Sequence, residues 1–191
     1  MKYIIIFFYY SITFFSPSTY ATEYVIDTNK AHAFIQFKIS HLGYSWLWGR
    51  FNTFSGTFHY DEKSPSASKV HIKIDTASID SNHAERDKHL RDKRFLDVKR
   101  FPTATFVSTH YSEDAEGKGK LVGQLTLHGV TNNITIITQQ LGVGADPWGG
   151  HRRGFEGHAM LTLADYGMTY NLGPKSKEVE LILSIEGIQQ E

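Results

Sequence analysis

The chain has 191 residues and no cysteine. That excludes disulfides, thiol catalysis and cysteine-based zinc sites, so a domain of this size must be held by its core alone. Net charge is also missing, because 20 Lys+Arg balance 20 Asp+Glu. A nucleic-acid binder that works by electrostatics needs a basic surface, so nucleic acid is not an expected partner. The sequence lacks a GxSxG elbow and an HExxH pair, and Gly142-Val143-Gly144 is not followed by a glycine opening a helix. No internal repeat, linker or low-complexity tract divides it. Beyond the first residues, no apolar run is long enough to cross a membrane as a helix.

The N-terminal residues contain a shorter apolar run, of a particular kind. Met1-Lys2 is positive, Tyr3 to Phe15 is almost wholly apolar, and Ser16-Pro17-Ser18 breaks the run before Thr19-Tyr20-Ala21. This order reads as a secretory signal peptide over residues 1–21. The run is short of the roughly 20 residues that a bilayer core requires, so an anchor is the weaker reading. One mature domain is expected over 22–191. Its first residue, Thr22, is not the cysteine of a bacterial lipoprotein, so the product is not expected to be membrane-anchored.

The remaining chain alternates with a period of two. Ala33, Ile35, Phe37 and Ile39 share one face against Gln36, Lys38 and Ser40. Val70, Ile72 and Ile74 repeat the pattern, as do Val179, Leu181, Leu183 and Ile185. Such alternation predicts antiparallel strands with one covered face. Eight are expected, at 31–41, 48–60, 69–79, 103–112, 118–128, 132–143, 153–163 and 177–188. Long strands in that number suit a closed barrel or a deep sandwich, an all-β fold. One helix is expected near 82–92, capped by Asn82 with Glu85 as capping-box partner and an Asp87–Arg91 pair along its side. A second short helical turn is expected near 164–168.

Chemistry-bearing clusters are few. His83 and His89 flank Glu85 but stand six apart, on different helix faces, so no metal site is expected there. Paired carboxylates such as Asp61-Glu62 and Glu113-Asp114 fall in expected turns. The basic residues Arg86, Lys88, Arg91, Lys93, Arg94, Lys99 and Arg100 are interleaved with Asp87, Asp92 and Asp97 and read as a salt-bridged face, or else as a rim that receives a phosphate-bearing or membrane-surface group. Aromatics gather at Phe34, Phe37, Trp46, Trp48, Phe51, Phe54 and Phe58. In an eight-stranded barrel they would either fill the interior or line a space for one ligand, and the pattern leaves both open.

Several longer strings carry a resemblance. His41-Leu42-Gly43-Tyr44-Ser45-Trp46-Leu47, the run Asn82-His83-Ala84-Glu85-Arg86-Asp87-Lys88-His89-Leu90-Arg91, Phe101-Pro102-Thr103-Ala104-Thr105-Phe106, Leu125-Thr126-Leu127-His128-Gly129-Val130-Thr131 and Asp146-Pro147-Trp148-Gly149-Gly150 resemble the YceI family across the whole mature chain. The resemblance implies an eight-stranded antiparallel lipocalin-like barrel with an inserted helix. It also implies a periplasmic location and a polyisoprenoid or quinone-type lipid as an apolar ligand in the barrel. No cofactor and no catalytic residue follow from it.

On that footing the apolar cavity is expected to be lined by Ile35, Phe37, Ile39, Phe51, Phe54, Phe58, Val70, Ile72, Ile74, Phe106, Leu125, Leu127, Phe155, Leu161, Leu181 and Leu183. Phe51 and Phe54 have opposite parity, so both reach the interior of one strand only across a bulge. A head-group rim is expected at Trp46, Trp48, Arg86 and Arg91. Two alternatives stand beside this carrier reading. One is a lipid-acting or metal-dependent enzyme; the other is an outer-membrane eight-stranded barrel, with its apolar face outward. An unpaired sheet edge would favour a homodimer.

Overall fold

The computed structural model describes residues 21–29 and 32–190. The expected signal peptide, apart from Ala21, lies outside the described residues. Eleven antiparallel strands form one sheet. They are β1 (Thr22–Ile26), β2 (Phe34–His41), β3 (Ser45–Phe51), β4 (Phe54–Tyr60), β5 (Lys69–Asp75), β6 (Ile79–Asp80), β7 (Thr103–Glu113), β8 (Lys118–Leu127), β9 (Val130–Ala145), β10 (His151–Thr162) and β11 (Glu178–Gln189). The single α-helix, α1, spans Ala84–Leu90.

The sheet closes. Its order around the ring is β1, β4, β5, β7, β8, β9, β10 and β11, and β11 returns to β1 through Tyr24 opposite Gln189 and Ile26 opposite Gly187. The other three strands prolong this ring at the α1 end. β2 pairs with β11 beyond β1, β3 pairs with β2, and β6 pairs with the end of β3. The result is an eight-stranded antiparallel barrel whose first three staves are each broken once. Buried Ile35, Phe37, Ile72, Ile74, Phe106 and Leu125 point inward, while Gln36, Lys38, His71 and Lys73 alternate with them on the outside. An outer-membrane barrel has the reverse polarity. No helix among the described residues is long and apolar enough to cross a membrane.

Three strand expectations change. The run 69–79 is divided, because β5 ends at Asp75, whose side chain accepts from the Ala77 N–H and starts a 3-10 turn over Thr76–Ser78 before β6 resumes at Ile79. The run 48–60 is two strands, interrupted at Asn52-Thr53, where both backbone N–H groups turn to Ser78, one to its carbonyl at 3.1 Å and one to its hydroxyl at 3.0 Å. The break resets the alternation, so Phe51 and Phe54 share a side of the sheet without a bulge. The stave of β2 is completed by β1, a five-residue strand too short to show its period beside the preceding apolar run.

The helix expectations change in detail. Asn82 is not the cap: its φ of 61° places it in a left-handed turn. His83 caps instead, its Nδ1 accepting from the Arg86 N–H at 3.2 Å. Glu85 pairs with Lys88 at 3.8 Å rather than closing a capping box. Asp87 is buried and accepts from the Ser81 N–H at 2.8 Å and from the Ser81 hydroxyl. Arg91 donates to the carbonyls of Ala77 at 2.7 Å and Ile79 at 2.6 Å. The expected Asp87–Arg91 pair does not form, because each side chain satisfies backbone groups of the β5–β6 region. The short helical turn near 164–168 is present as Leu163–Tyr166.

Candidate functional site

Three inward phenylalanines rest on glycines. A Cβ at Gly49 would lie 2.2 Å from Phe37 Cζ, one at Gly123 would lie 2.4 Å from Phe106 Cζ, and one at Gly187 would lie 2.4 Å from Phe58 Cε1. Those distances are far inside contact, so only glycine allows each ring to lie flat on the wall. Rings held against the wall leave the axis open. This settles the question the pattern left open: the interior is hollow in part.

The open space forms two chambers. The first, of about 130 Å³, is enclosed by Ile26, Ile35, Phe58, Val70, Ile72, Ile74, Phe106, Leu125, Phe155, Leu181, Leu183 and neighbours. The second, of about 350 Å³, lies toward α1 and is enclosed by Ile35, Phe37, Ile39, Phe51, Ile74, Leu125, Leu127, Leu161, Leu181 and residues of the helix end. Ile35, Ile74, Leu125 and Leu181 border both chambers and form a waist between them. Fifteen of the sixteen cavity residues expected from sequence border one chamber or both. Phe54 borders neither; it packs behind them against the core.

Sequence reasoning missed much of the lining. Leu121, Ile134, Ile136 and Ile185 border the first chamber, and Leu47, Ile79, Met168 and Tyr170 the second. Leu121 and Ile136 continue alternations visible in β8 and β9, so parity alone could have found them. Met168 and Tyr170 sit in an irregular segment, where no period operates.

The expected rim does not assemble. Arg86 borders the second chamber and its guanidinium holds the Ser81 hydroxyl at 2.8 Å. Arg91 is committed to carbonyls under the helix. Trp46 and Trp48 are on the outer face of β3, with the Lys38 ammonium 5.1 Å and 5.7 Å from their ring centroids. Their parity decides this, because Leu47 between them points inward. The helix end of the chamber is bordered instead by Arg86, His89 and Arg94, beside Phe95 and Tyr170.

The end of the first chamber away from α1 is polar. The hydroxyls of Tyr60 and Tyr111 both donate to Glu113, the latter at 2.6 Å. Burial, and then this carboxylate, raise both phenols well above the ordinary tyrosine range. The buried Arg153 guanidinium sits 4.0 Å above the Tyr60 ring, donates to Gln140 Oε1 at 2.6 Å and pairs with Glu62. This network closes the far end of the barrel, with Arg153 paired to Glu62 and Glu113 held by two phenolic hydroxyls.

A second charged cluster lies on the outer wall. Arg152 binds Asp27 at 2.7 Å, Asp146 at 2.6 Å and also Glu186, and His32 approaches Asp27 at 3.1 Å. Asp27, His32 and Glu186 are the one set among the described residues with metal-ligand spacing. The guanidinium already occupies their focus, and they face away from the cavity.

A closed antiparallel barrel with an apolar, partly open lumen and a helix at one end defines the lipocalin-like class. Within that class the chain belongs to the YceI family: a YceI-like domain is matched over residues 24–187. It is 54% identical over 179 residues to a UPF0312 protein of Yersinia enterocolitica, covering 94% of this chain and 93% of that one. A UPF0312 protein of Pseudomonas aeruginosa is likewise 54% identical over 180 residues, with 94% of each chain covered. Among solved structures, the Campylobacter jejuni YceI protein superposes with a TM-score of 0.72 at 28% identity, covering 81% of this chain and 91% of that one. A polyisoprenoid binding domain from Saccharophagus degradans shares the fold, with a TM-score of 0.63 at 16% identity over 87% of this chain and 98% of that one.

Proposed function

We propose that the protein is a periplasmic binding protein that carries or sequesters a long apolar lipid of the polyisoprenoid or quinone type inside the barrel, without catalysing a reaction. The observation that carries this reading is the continuity of apolar lining from the helix end through the waist to the tyrosine plug. The expected signal peptide supports export, and the polyisoprenoid binding domain of the same fold supports the ligand class.

Magnitudes favour an apolar chain. A dry cavity of roughly 150 Å³ holds one benzene, and small-molecule sites span roughly 300–1,000 Å³. The second chamber, at about 350 Å³, therefore admits a short stretch of chain as it stands. A longer chain has to pass the waist, which the four side chains there must open. Burying one five-carbon unit gains about 4 kcal/mol gross at ~0.8 kcal/mol per CH₂-sized group. A few units approach the practical affinity ceiling of about 20 kcal/mol, which leaves ample margin for ordering the chain and moving the waist.

Native mass spectrometry of protein purified from periplasm tests this. The expected result is an added mass from an apolar chain that solvent extraction removes. A bare mass, with no uptake of any prenyl lipid offered afterwards, would sink the proposal.

A further inference from the structure

Four strongly exposed large apolar side chains near the helix end lie on one hairpin. β2 and β3 meet in the turn Leu42-Gly43-Tyr44, and Leu42, Tyr44, Trp46 and Trp48 are 53%, 87%, 59% and 51% exposed. Leu42 has a φ of 55°, a left-handed conformation that asparagine or glycine adopts far more readily than leucine. A large aliphatic side chain thus stands at the tip where local conformation favours a small polar one.

The hairpin adjoins the chamber. Residues 167–177 run as a strap across the helix end, and Met168, Tyr170 and Leu172 of that strap border the second chamber. The Ser176 hydroxyl donates to the Ser40 carbonyl at 2.6 Å, and a Cβ on Gly173 would lie 3.3 Å from Leu42 Cδ2. Tip, strap and chamber mouth are therefore one continuous surface.

The tip and the strap carry basic side chains and no carboxylate of their own. Residues 37–50 contain no Asp or Glu but do contain Lys38 and Arg50, and residues 166–177 contain no Asp or Glu but do contain Lys175 and Lys177. Lys38 is paired with Glu180 and Arg50 with Asp80. Lys175 and Lys177 form no ion pair among the described residues, in a chain whose net charge is zero. Tyrosine and tryptophan beside lysines is the composition that settles at the headgroup level of a membrane.

We propose that the β2–β3 tip and the strap form a docking surface for an anionic lipid bilayer, which brings the mouth of the second chamber against the membrane. The proposal rests on the reading of the interior as a site for an apolar chain, since such a chain must be collected from or delivered to a membrane. A second copy of the chain is the competing occupant. It could pair along the edge of β3, whose residues 45–49 have a strand partner only on the β2 side. A copy paired there would leave Leu42 and Tyr44, at the turn, outside the new ladder.

Flotation with vesicles of phosphatidylethanolamine and phosphatidylglycerol provides the test, with pure phosphatidylcholine vesicles as control. Wild-type protein is expected to float with the anionic vesicles and to shift its tryptophan emission to the blue. The double variant Leu42→Asn, Tyr44→Ser should lower the bound fraction at least tenfold, of the order expected for losing two buried apolar side chains. Lys175→Gln and Lys177→Gln should each lower it about fivefold. Asparagine suits the left-handed turn, so melting temperature and far-UV circular dichroism should not change. A wild type that never floats, or variants that float as well as it does, would overturn the proposal. So would a concentration-dependent dimer that alone accounts for the tryptophan shift.

Cargo uptake from detergent solution, read by native mass spectrometry, separates the two proposals. Both sets of variants should retain it. Wild type that floats but takes up no prenyl chain removes the cargo reading and leaves the docking surface. Uptake without flotation removes the docking surface alone.

Discussion

Phe37 and Gly49 face each other across the β2–β3 ladder, and the ring occupies the space a side chain at position 49 would fill. Gly49→Ala should push the ring off the wall and into the second chamber. Overpacking of this kind costs about 1–3 kcal/mol. Urea unfolding should show that loss, and prenyl-chain uptake should fall with it. Unchanged stability and uptake would mean that the ring has another resting place.

Phe37 and Phe54 are both inward-facing, but only Phe37 borders open space. Phe37→Trp should therefore reduce uptake of a prenyl chain several-fold, while Phe54→Trp leaves uptake near that of wild type. Competition with a fluorescent fatty probe distinguishes the two. Equal losses in both variants would contradict the assignment of the lining.

Leu181 borders both chambers at the waist. Leu181→Trp should block passage between them without emptying either. Long prenyl chains should lose most of their binding, and chains of one or two isoprene units should keep theirs. A uniform loss for both lengths would place the entry route elsewhere.

Glu113 accepts from two buried tyrosine hydroxyls. Glu113→Leu leaves both without an acceptor, at about 1–3 kcal/mol for each group. Adding Tyr60→Phe and Tyr111→Phe removes the stranded hydroxyls and should recover much of the stability. If the triple variant is no more stable than the single one, the plug is held by packing rather than by this network.

Acid should destabilise the barrel through its paired carboxylates. Asp92 is held at about 2, chiefly by its hydrogen bonds to Arg94. Asp146 is lowered chiefly by Arg152, and Glu180 chiefly by Lys38. A carboxyl lowered on folding adds stability above its unfolded value of about 4, and that stability is lost as pH falls through the folded value. Melting temperature should be level near neutrality and decline between about pH 4 and pH 2. Arg94→Met should melt earlier than wild type at pH 7, with the difference closing toward pH 2. A difference that stays constant across that range would rule out the Asp92 contribution.

Much of this architecture was written in alternation. Ile35, Phe37, Ile39, Leu181 and Leu183 revealed their inward face because β-strand side chains repeat every two residues. The break at Asn52-Thr53 was hidden because it depends on Ser78, a partner 25 residues away. Arg91 looked like a surface cation because the carbonyls of Ala77 and Ile79 that hold it cannot be read from side-chain chemistry. Trp46 and Trp48 were legible in principle: their parity against Leu47 sends them outward, although their size suggested a lining role. The open lumen was not legible, since it depends on which glycine each ring meets across the sheet.

The ring closes where the first described strand meets the last, Tyr24 against Gln189. No shorter length of chain can complete it, so a polypeptide that lacks its final strand keeps an open sheet. Closing contacts of such separation are slow to form, and barrels dominated by them fold in milliseconds to seconds. The join between β1 and β11 thus makes ring closure a late event, reached only when both ends of the barrel domain have met.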